Sequence, residues 1–474
     1  MSAIDVDVAV VGAGIAGLSA AYELSRRGVS FVVLESGSRA GGVILSEDVD
    51  GFTIDAGPDA LLIQKPEAIR LCREIGLGDR LVPTLPPRVA YIQRGGRLHA
   101  LPAASVLGIP TRIAPFLRTR LFSAAGKARM GAELFVPRRR ADSDDDESIG
   151  SFMTRRFGRE ACEYLAEPLL AGIHAGDVDR LSMQALFPRI FEAERTSGSV
   201  IRAFRAQARS PSNAPNPDGA FYSLPRGLTE MVEALVGALG AGRLVTNSAV
   251  ETIDGNGPFT LRTSSGATVT ARGVVLATPA FATGRLLRGR GSELSRVCES
   301  IPYASVATVA LAYDRSAVTN PLRGSGFVVP RVERTGILAA SWLSSKWPGR
   351  APHDRVLLRT FIGGARDPDA LALDDHQLVE RSRQALQPVL GMTRAPLFTR
   401  VYRWPRANAQ HEVGHRKLVA VLEAALSCHR GLFVTGSGFR GAGIPDCVAD
   451  GRKTGEAAAG WLMQSEKEKV NFPP

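Results

Sequence analysis

Two hydrophobic rhythms alternate along the chain. Residues 8–11 and 31–34 are short unbroken apolar runs of strand length, and the stretch between them, 18–26, continues as a helix. The β-rich runs 271–280, 304–313 and 356–364 predict further strands, and 418–426 a further helix. Ile149, Phe152, Met153 and Phe157 recur at helical spacing behind Ser148, which is suited to cap that helix. Near the far end an apolar strand leads into a glycine-rich turn and another helix, LFVTGSGFRGAGIPDCVADGRKTGEAAAGWL. Strands alternating with helices in this way predict an α/β fold.

The first strand, helix and strand form one unit, DVAVVGAGIAGLSAAYELSRRGVSFVVLE. Gly12, Gly14 and Gly17 make the turn, with Ala13, Ile15 and Ala16 between them. These glycines serve a tight turn, close approach of backbone to a pyrophosphate, and close packing of helix on strand. The helix then points its positive end at the phosphates. Glu35 closes the second strand, where a carboxylate can accept hydrogen bonds from ribose hydroxyls. The unit therefore predicts dinucleotide binding. A second glycine turn more than 400 residues downstream suits a long ligand, FAD, better than a mononucleotide.

Composition narrows the class without changing it. The chain has 474 residues, enough for two or three substructures, and is 45% hydrophobic and 22% charged. The absence of a long uncharged apolar run or a cationic leader predicts a cytoplasmic protein. Cys72, Cys162, Cys298, Cys428 and Cys447 are scattered, so redox chemistry must come from a cofactor. A net charge of +11 suits anionic substrates or lipid, whereas 6% aromatics, with no basic aromatic groove, speaks against nucleic acid.

The segment after Glu35, SGSRAGG, resembles the FAD-binding amine oxidase and desaturase superfamily, with Ser36, Arg39, Gly41 and Gly42 along the flavin. GIHAGDVDRLS (172–182), followed by FPRIFEAE, closely resembles the segment that identifies protoporphyrinogen and coproporphyrinogen oxidases. RGGRLHALP (94–102), SLPRGLTEMVEAL (223–235), LRGSGFVVP (322–330), RTFIGGAR (359–366) and GSGFRGAGIPDCV (436–448) follow in the family's order. The resemblance implies a discontinuous Rossmann-like FAD domain at 1–70, 225–290 and 420–465. It implies a mixed-sheet substrate domain at 71–87, 210–224 and 291–419, a helical membrane-associating insert at 88–209, and a flexible tail at 466–474. Eight Arg or Lys residues among the apolar positions of 110–140 suit contact with anionic lipid, and equally a solvated helical face. Residues 142–147 read as an acidic exposed loop, and 209–219 as a connecting loop.

The implied activity is the six-electron oxidation of protoporphyrinogen IX to protoporphyrin IX in haem synthesis. It proceeds in three two-electron steps, with hydride passing to FAD and O2 becoming H2O2. Coproporphyrinogen III is the close alternative substrate. An amine oxidase, a carotenoid desaturase or a non-catalytic escort protein on the same fold are more distant ones. No side chain is expected to be catalytic. By resemblance, Arg88 meets a substrate carboxylate, the Gly172 backbone lies against the macrocycle, and Val328, Leu338 and Phe361 clamp it. Ala56, Gly57, Pro58, Asp59, Val250, Trp404, Gly436, Ala442, Gly443 and Ile444 join the flavin contacts. Relatives imply a homodimer and a loose attachment to the cytoplasmic membrane face.

Two departures from the family pattern stand out. His174 replaces a usual aromatic residue, and RANAQHEVGH replaces I-P-Q-Y-x-x-G-H. HEVGH (411–415) matches the zinc-protease motif, in which a helix presents both imidazoles on one face. Gly414 interrupts such a helix at a cost of about 1 kcal/mol, no third ligand follows, and the final Gly-His aligns with the family's own. The string therefore reads as a loop leading into the helix at 418–426, and no metal site is expected.

Overall fold

A computed structural model describes the chain except for residues 1–3, 102–104, 107–108, 111–112, 140–145, 209–215 and 472–474. Its first sheet has seven strands. Leu244–Val245, Phe31–Leu34, Ile4–Val11 and Thr268–Leu276 run parallel, and Leu432–Val434 pairs in parallel with the end of Thr268–Leu276. Phe259–Thr263 and Val250–Asp254 extend it as an antiparallel meander. The apolar runs are unbroken because both faces are covered. Val8 and Val10 pack with Leu18, Leu24, Met231 and Val448 on one side, while Ala9 and Val11 pack with Leu276, Leu422 and Val434 on the other.

The second sheet follows the order Phe398–Ala409, Tyr303–Asp314, Arg355–Gly363, Ala339–Trp342, Gly326–Val328, Ala90–Arg94, Arg97–Ala100. Val309, Leu311, Trp342 and Leu358 on its back face meet Leu378 and Leu386 of the helix Asp375–Leu390. That helix starts on a capping box of Asp374 and Gln377. Helices from Ile113–Arg118 to Val200–Ala208 form the insert around Phe152, Phe157, Leu165, Met183 and Phe204. Ser148 caps Ile149–Phe157 as predicted, its Oγ accepting from Ser151 N at 3.1 Å. Buried Arg156 ties the insert together through Glu133 and the Gly198 carbonyl, and Glu133 also accepts from Ser199 Oγ at 2.5 Å.

Several expected boundaries shift. The insert does not begin at 88, because Ala90–Arg94 and Arg97–Ala100 are strands of the second sheet, joined at Gly95 and Gly96. The cut at 70 falls inside the helix Glu67–Glu74, whose Ile69, Leu71 and Cys72 belong to the core of the first sheet. Val250 begins the strand Val250–Asp254. The expected tail from 466 continues as helix, since the last helix spans Ile444–Asn471. Most of the acidic run and of the 209–219 loop lies outside the described residues. Among the described residues no helix is long and apolar enough to cross a membrane.

Candidate functional site

The two glycine turns meet at the same edge of the first sheet. Gly12, at φ +104°, lies so close to Ala277 O that a Cβ would sit 2.9 Å from it, and a Cβ on Gly17 would sit 2.0 Å from Gly12 O. Gly436, at φ +121°, approaches the same Ala277 O from the other chain end. Thr435 Oγ1 and Gly436 N both donate to Asp450, at 2.6 and 3.3 Å, which fixes the start of the second turn. Ala442 and Gly443 lead into the helix from Ile444, which packs on Ile15–Arg26. Their contact is backbone-close: a Cβ on Gly451 would lie 2.2 Å from Ala16 O, and one on Gly455 2.5 Å from Ala20 O.

This edge fits an anionic dinucleotide. Gly14 caps the helix Ile15–Arg26 without a side-chain bond, the first turn carries no acid, and a Cβ on Gly14 would meet nothing within 4 Å. The positive helix end therefore faces open space. Glu35 Oε2 accepts from Ala13 N at 2.7 Å, while its Oε1 accepts from Gly37 N at 2.7 Å and Ser36 Oγ at 3.1 Å. Gly41 N donates to Ala13 O at 2.8 Å, which seats the SGSRAGG loop against the first turn. Arg39 does not reach outward: it donates to the carbonyls of Ala40, Gly42 and Ile44 and so sets the loop's shape. Val250 packs half-buried at the margin of the sheet core.

The segment 55–59 joins the two sheets. Ala56 O accepts from Thr308 Oγ1 at 2.7 Å and from Trp404 Nε1 at 3.1 Å, while Arg359 donates to Gly57 O at 2.7 Å and to Asp55 O. A Cβ on Gly57 would lie 1.9 Å from Val43 O, so only glycine fits beside half-buried Pro58. Asp59 is buried and taken up by partners within the protein. Its carboxylate binds Lys346 at 2.6 Å, Arg359 at 2.7 Å and Trp347 Nε1 at 2.8 Å. Burial opposes its charge, but Lys346 and Arg359 overcome this and hold the carboxyl well below the usual range. Asp59 thus holds the joint between the sheets rather than presenting a carboxylate to a ligand.

Sheet register places one row of side chains on the front face: Tyr402, Thr308, Phe361, Ala339, Val328, Ile92, His99. Thr308 touches the 55–59 segment, and Ile92 and Val328 touch the insert core. Phe361, Ala339 and Val328 therefore line the interval between them, roughly 15 Å at ordinary strand spacing. Leu338 adjoins the row, its N–H donating to Phe361 O at 2.7 Å. The structure thus brings Val328, Leu338 and Phe361 together, with the Arg359 guanidinium 4.7 Å over the Phe361 ring. Gly172 lies in the helix Glu167–His174. Arg366 anchors this helix and the turn after it through Glu167, Asp177 and Asp179. Arg88 is exposed and engaged by its own neighbourhood, donating to Thr84 O at 2.9 Å and Pro217 O at 2.6 Å.

The HEVGH string is a loop followed by the helix His415–Leu426, with Gly414 at φ +88° between the histidines. Burial, and then His415, push His411 down to about 3, and burial also lowers His415. Burial pushes His174 down to about 4.

Thr308, Arg359 and Lys346 are the positions that sequence reasoning missed. A hydroxyl in ASVATVALAY and an arginine in VLLRTF were the available signals, because polar groups inside buried strands require partners.

The family model described as flavin containing amine oxidoreductase matches residues 15–459. The chain is 33% identical to a coproporphyrinogen III oxidase of Bacillus subtilis, over 96% of this chain and 98% of that protein. It is 29% identical to a chloroplastic protoporphyrinogen oxidase of Nicotiana tabacum, over 98% of this chain and 87% of that protein. A solved structure from Exiguobacterium sp. 255-15, provisionally named a protoporphyrinogen oxidase, matches with a TM-score of 0.84 at 31% identity. That match covers 97% of this chain and 99% of the other.

Proposed function

The chain belongs to the flavin containing amine oxidoreductase family, and from that premise we propose that it is an FAD-dependent, oxygen-using porphyrinogen oxidase acting on coproporphyrinogen III. The observation that carries this reading is the row Phe361, Ala339 and Val328, an apolar strip between the nucleotide edge and the insert. A flat, apolar macrocycle with a carboxylated rim suits such a strip.

When bound, FAD supplies a two-electron acceptor used three times per porphyrinogen, with three O2 reduced to three H2O2. The chain supplies placement. The open end of the helix Ile15–Arg26 would hold the pyrophosphate, and Glu35 would accept from ribose hydroxyls. Phe361, Leu338 and Val328 press on the macrocycle, and the insert excludes water from it. Arg88 turns from Pro217 O to a rim carboxylate. Trp404, tied to Ala56 O, would stand beside the flavin.

Coproporphyrinogen III is preferred because the Bacillus subtilis relative has the higher identity and is spanned almost end to end. Protoporphyrinogen IX is the second reading, supported by the Nicotiana tabacum relative. Anaerobic mixing of the FAD-loaded protein with each porphyrinogen separates them. Faster bleaching of the flavin by coproporphyrinogen is expected. Faster bleaching by protoporphyrinogen would reverse the order, and bleaching by neither would defeat the assignment.

The insert also contacts lipid in this reading. Phe135 and Leu117 are 86% and 59% exposed. They share the insert with Arg118, Arg120, Lys127 and Arg138, a combination suited to an anionic membrane surface.

A further inference from the structure

His411 and His415 take no part in the nucleotide cradle, yet they touch it. His411 Nε2 lies 2.8 Å from Ser437 O, and His415 Nε2 lies 2.8 Å from Phe439 O. Both carbonyls belong to the second glycine turn. A carbonyl can only accept, so each Nε2 carries a hydrogen and each neutral ring keeps Nδ1 bare. The rings stack with centroids 3.9 Å apart and planes 8° apart, and both are buried. Two charges could not share that geometry, and burial disfavours even one. Gly414, in the left-handed region, lets the chain turn so that the rings face each other instead of projecting from one helix face.

The segment 410–415 also holds the insert. Ser182 N donates to His411 O at 2.9 Å, Val413 N to Arg180 O at 2.9 Å, and Gly414 N to Asp146 Oδ2 at 2.9 Å. Gln410 Nε2 donates to His174 O at 2.9 Å, at the end of the helix that carries Gly172. One short segment thus binds the second glycine turn with its rings, residues 146, 180 and 182 of the insert with its backbone, and the end of the helix Glu167–His174 with Gln410.

We propose that His411 and His415 are positioning residues, a stacked-imidazole bracket that fixes the turn at 436–443 and registers it against the insert segment 174–182. The proposal rests on the FAD reading above. Without the two donors, the Ser437 and Phe439 carbonyls must find other partners, and the turn loses its set conformation. The bracket acts through the turn and does not touch the reacting atoms.

The test uses the full chain with His411→Phe, His415→Phe, His411→Gln and Gln410→Ala. Phenylalanine keeps a flat stacking ring and removes the donor, whereas glutamine restores a donor of similar reach. Two quantities are measured: amide hydrogen exchange of residues 435–443 in the FAD-free protein, and the rate of FAD release from the loaded protein. Each Phe variant is expected to raise both about tenfold, the usual scale for one buried hydrogen bond, with exchange in the sheet cores unchanged. His411→Gln should recover most of the loss. Unchanged exchange and release in both Phe variants would overturn the proposal, as would acceleration spread evenly through the cores. If the Phe variants do not fold, Gln410→Ala decides. It leaves both rings in place, and faster exchange is expected at 174–182 and in the turn together, while an unaffected turn would overturn the coupling. Wild-type protein that holds no FAD would defeat the cofactor reading alone, because exchange in the FAD-free turn still tests the bracket.

Discussion

Asp59 illustrates what a single side chain does for this architecture. Its carboxylate is buried between Lys346 and Arg359, so replacing it with a neutral group leaves two cations in a low-dielectric joint. Asp59→Asn is expected to cost about 3 kcal/mol or more in urea unfolding. The sign of the pH dependence follows from a lowered carboxyl. The native state favours the charged form, so the contribution is complete above the unfolded value, about 3.9, and is lost as pH falls further. The stability gap between wild type and variant should therefore stay flat from neutral pH down to about 5 and narrow below about 4. A gap that widened on acidification would contradict the assignment. The sequence groups Asp59 with Ala56, Gly57 and Pro58 as flavin contacts, because adjacent small residues suit close approach of a cofactor. Its partners lie almost 300 residues away, and no local pattern announces them.

At the scale of elements, the two helices that carry the glycine turns pack through missing side chains. Gly451 faces Ala16 O so closely that a methyl group would overlap backbone, which cannot yield as a flexible side chain could. Gly451→Ala should destabilise the protein by about 1–3 kcal/mol. Gly460, on the same helix, has nothing within 4 Å of its Cβ position. There alanine should be neutral or stabilising by up to about 1 kcal/mol, since only helix propensity changes. Thermal unfolding of both variants checks the contrast, and changes of equal size and sign would refute the packing argument. These elements were legible because their signals are local: glycine spacing, apolar runs and a capping serine at 148 all lie within a turn or two of what they specify. The edge hairpin at 90–100 carries its own local signal, Gly95 and Gly96 at the turn, but the layout implied by the resemblance puts it in the insert. Sheet order was not legible, since pairing such as Val328 with Ile92 joins strands more than 200 residues apart.

At the scale of the whole molecule, no helix among the described residues is long and apolar enough to cross a membrane, so any contact of the proposed oxidase with lipid must be made by its surface. The +11 charge acts over the full surface, and large apolar side chains are exposed in several places, but the three most exposed among the described residues, Phe135, Ile173 and Leu117, all lie on the insert, the part of the molecule that packs over Val328. Electrostatic attraction would bring that surface to anionic lipid, and two rings or chains buried at the headgroup boundary would hold it there. Binding should therefore need both terms. The protein is expected to sediment with vesicles containing phosphatidylserine and not with neutral ones, and to dissociate as salt rises towards several tenths molar, where surface charge is screened. Phe135→Ser should weaken vesicle binding several-fold while leaving flavin bleaching by soluble porphyrinogen unchanged, because the side chain is 86% exposed and no part of the row at Phe361. Vesicle binding unaffected by both salt and Phe135→Ser would show that the insert does not meet lipid, and its basic face would then be a solvated helical surface.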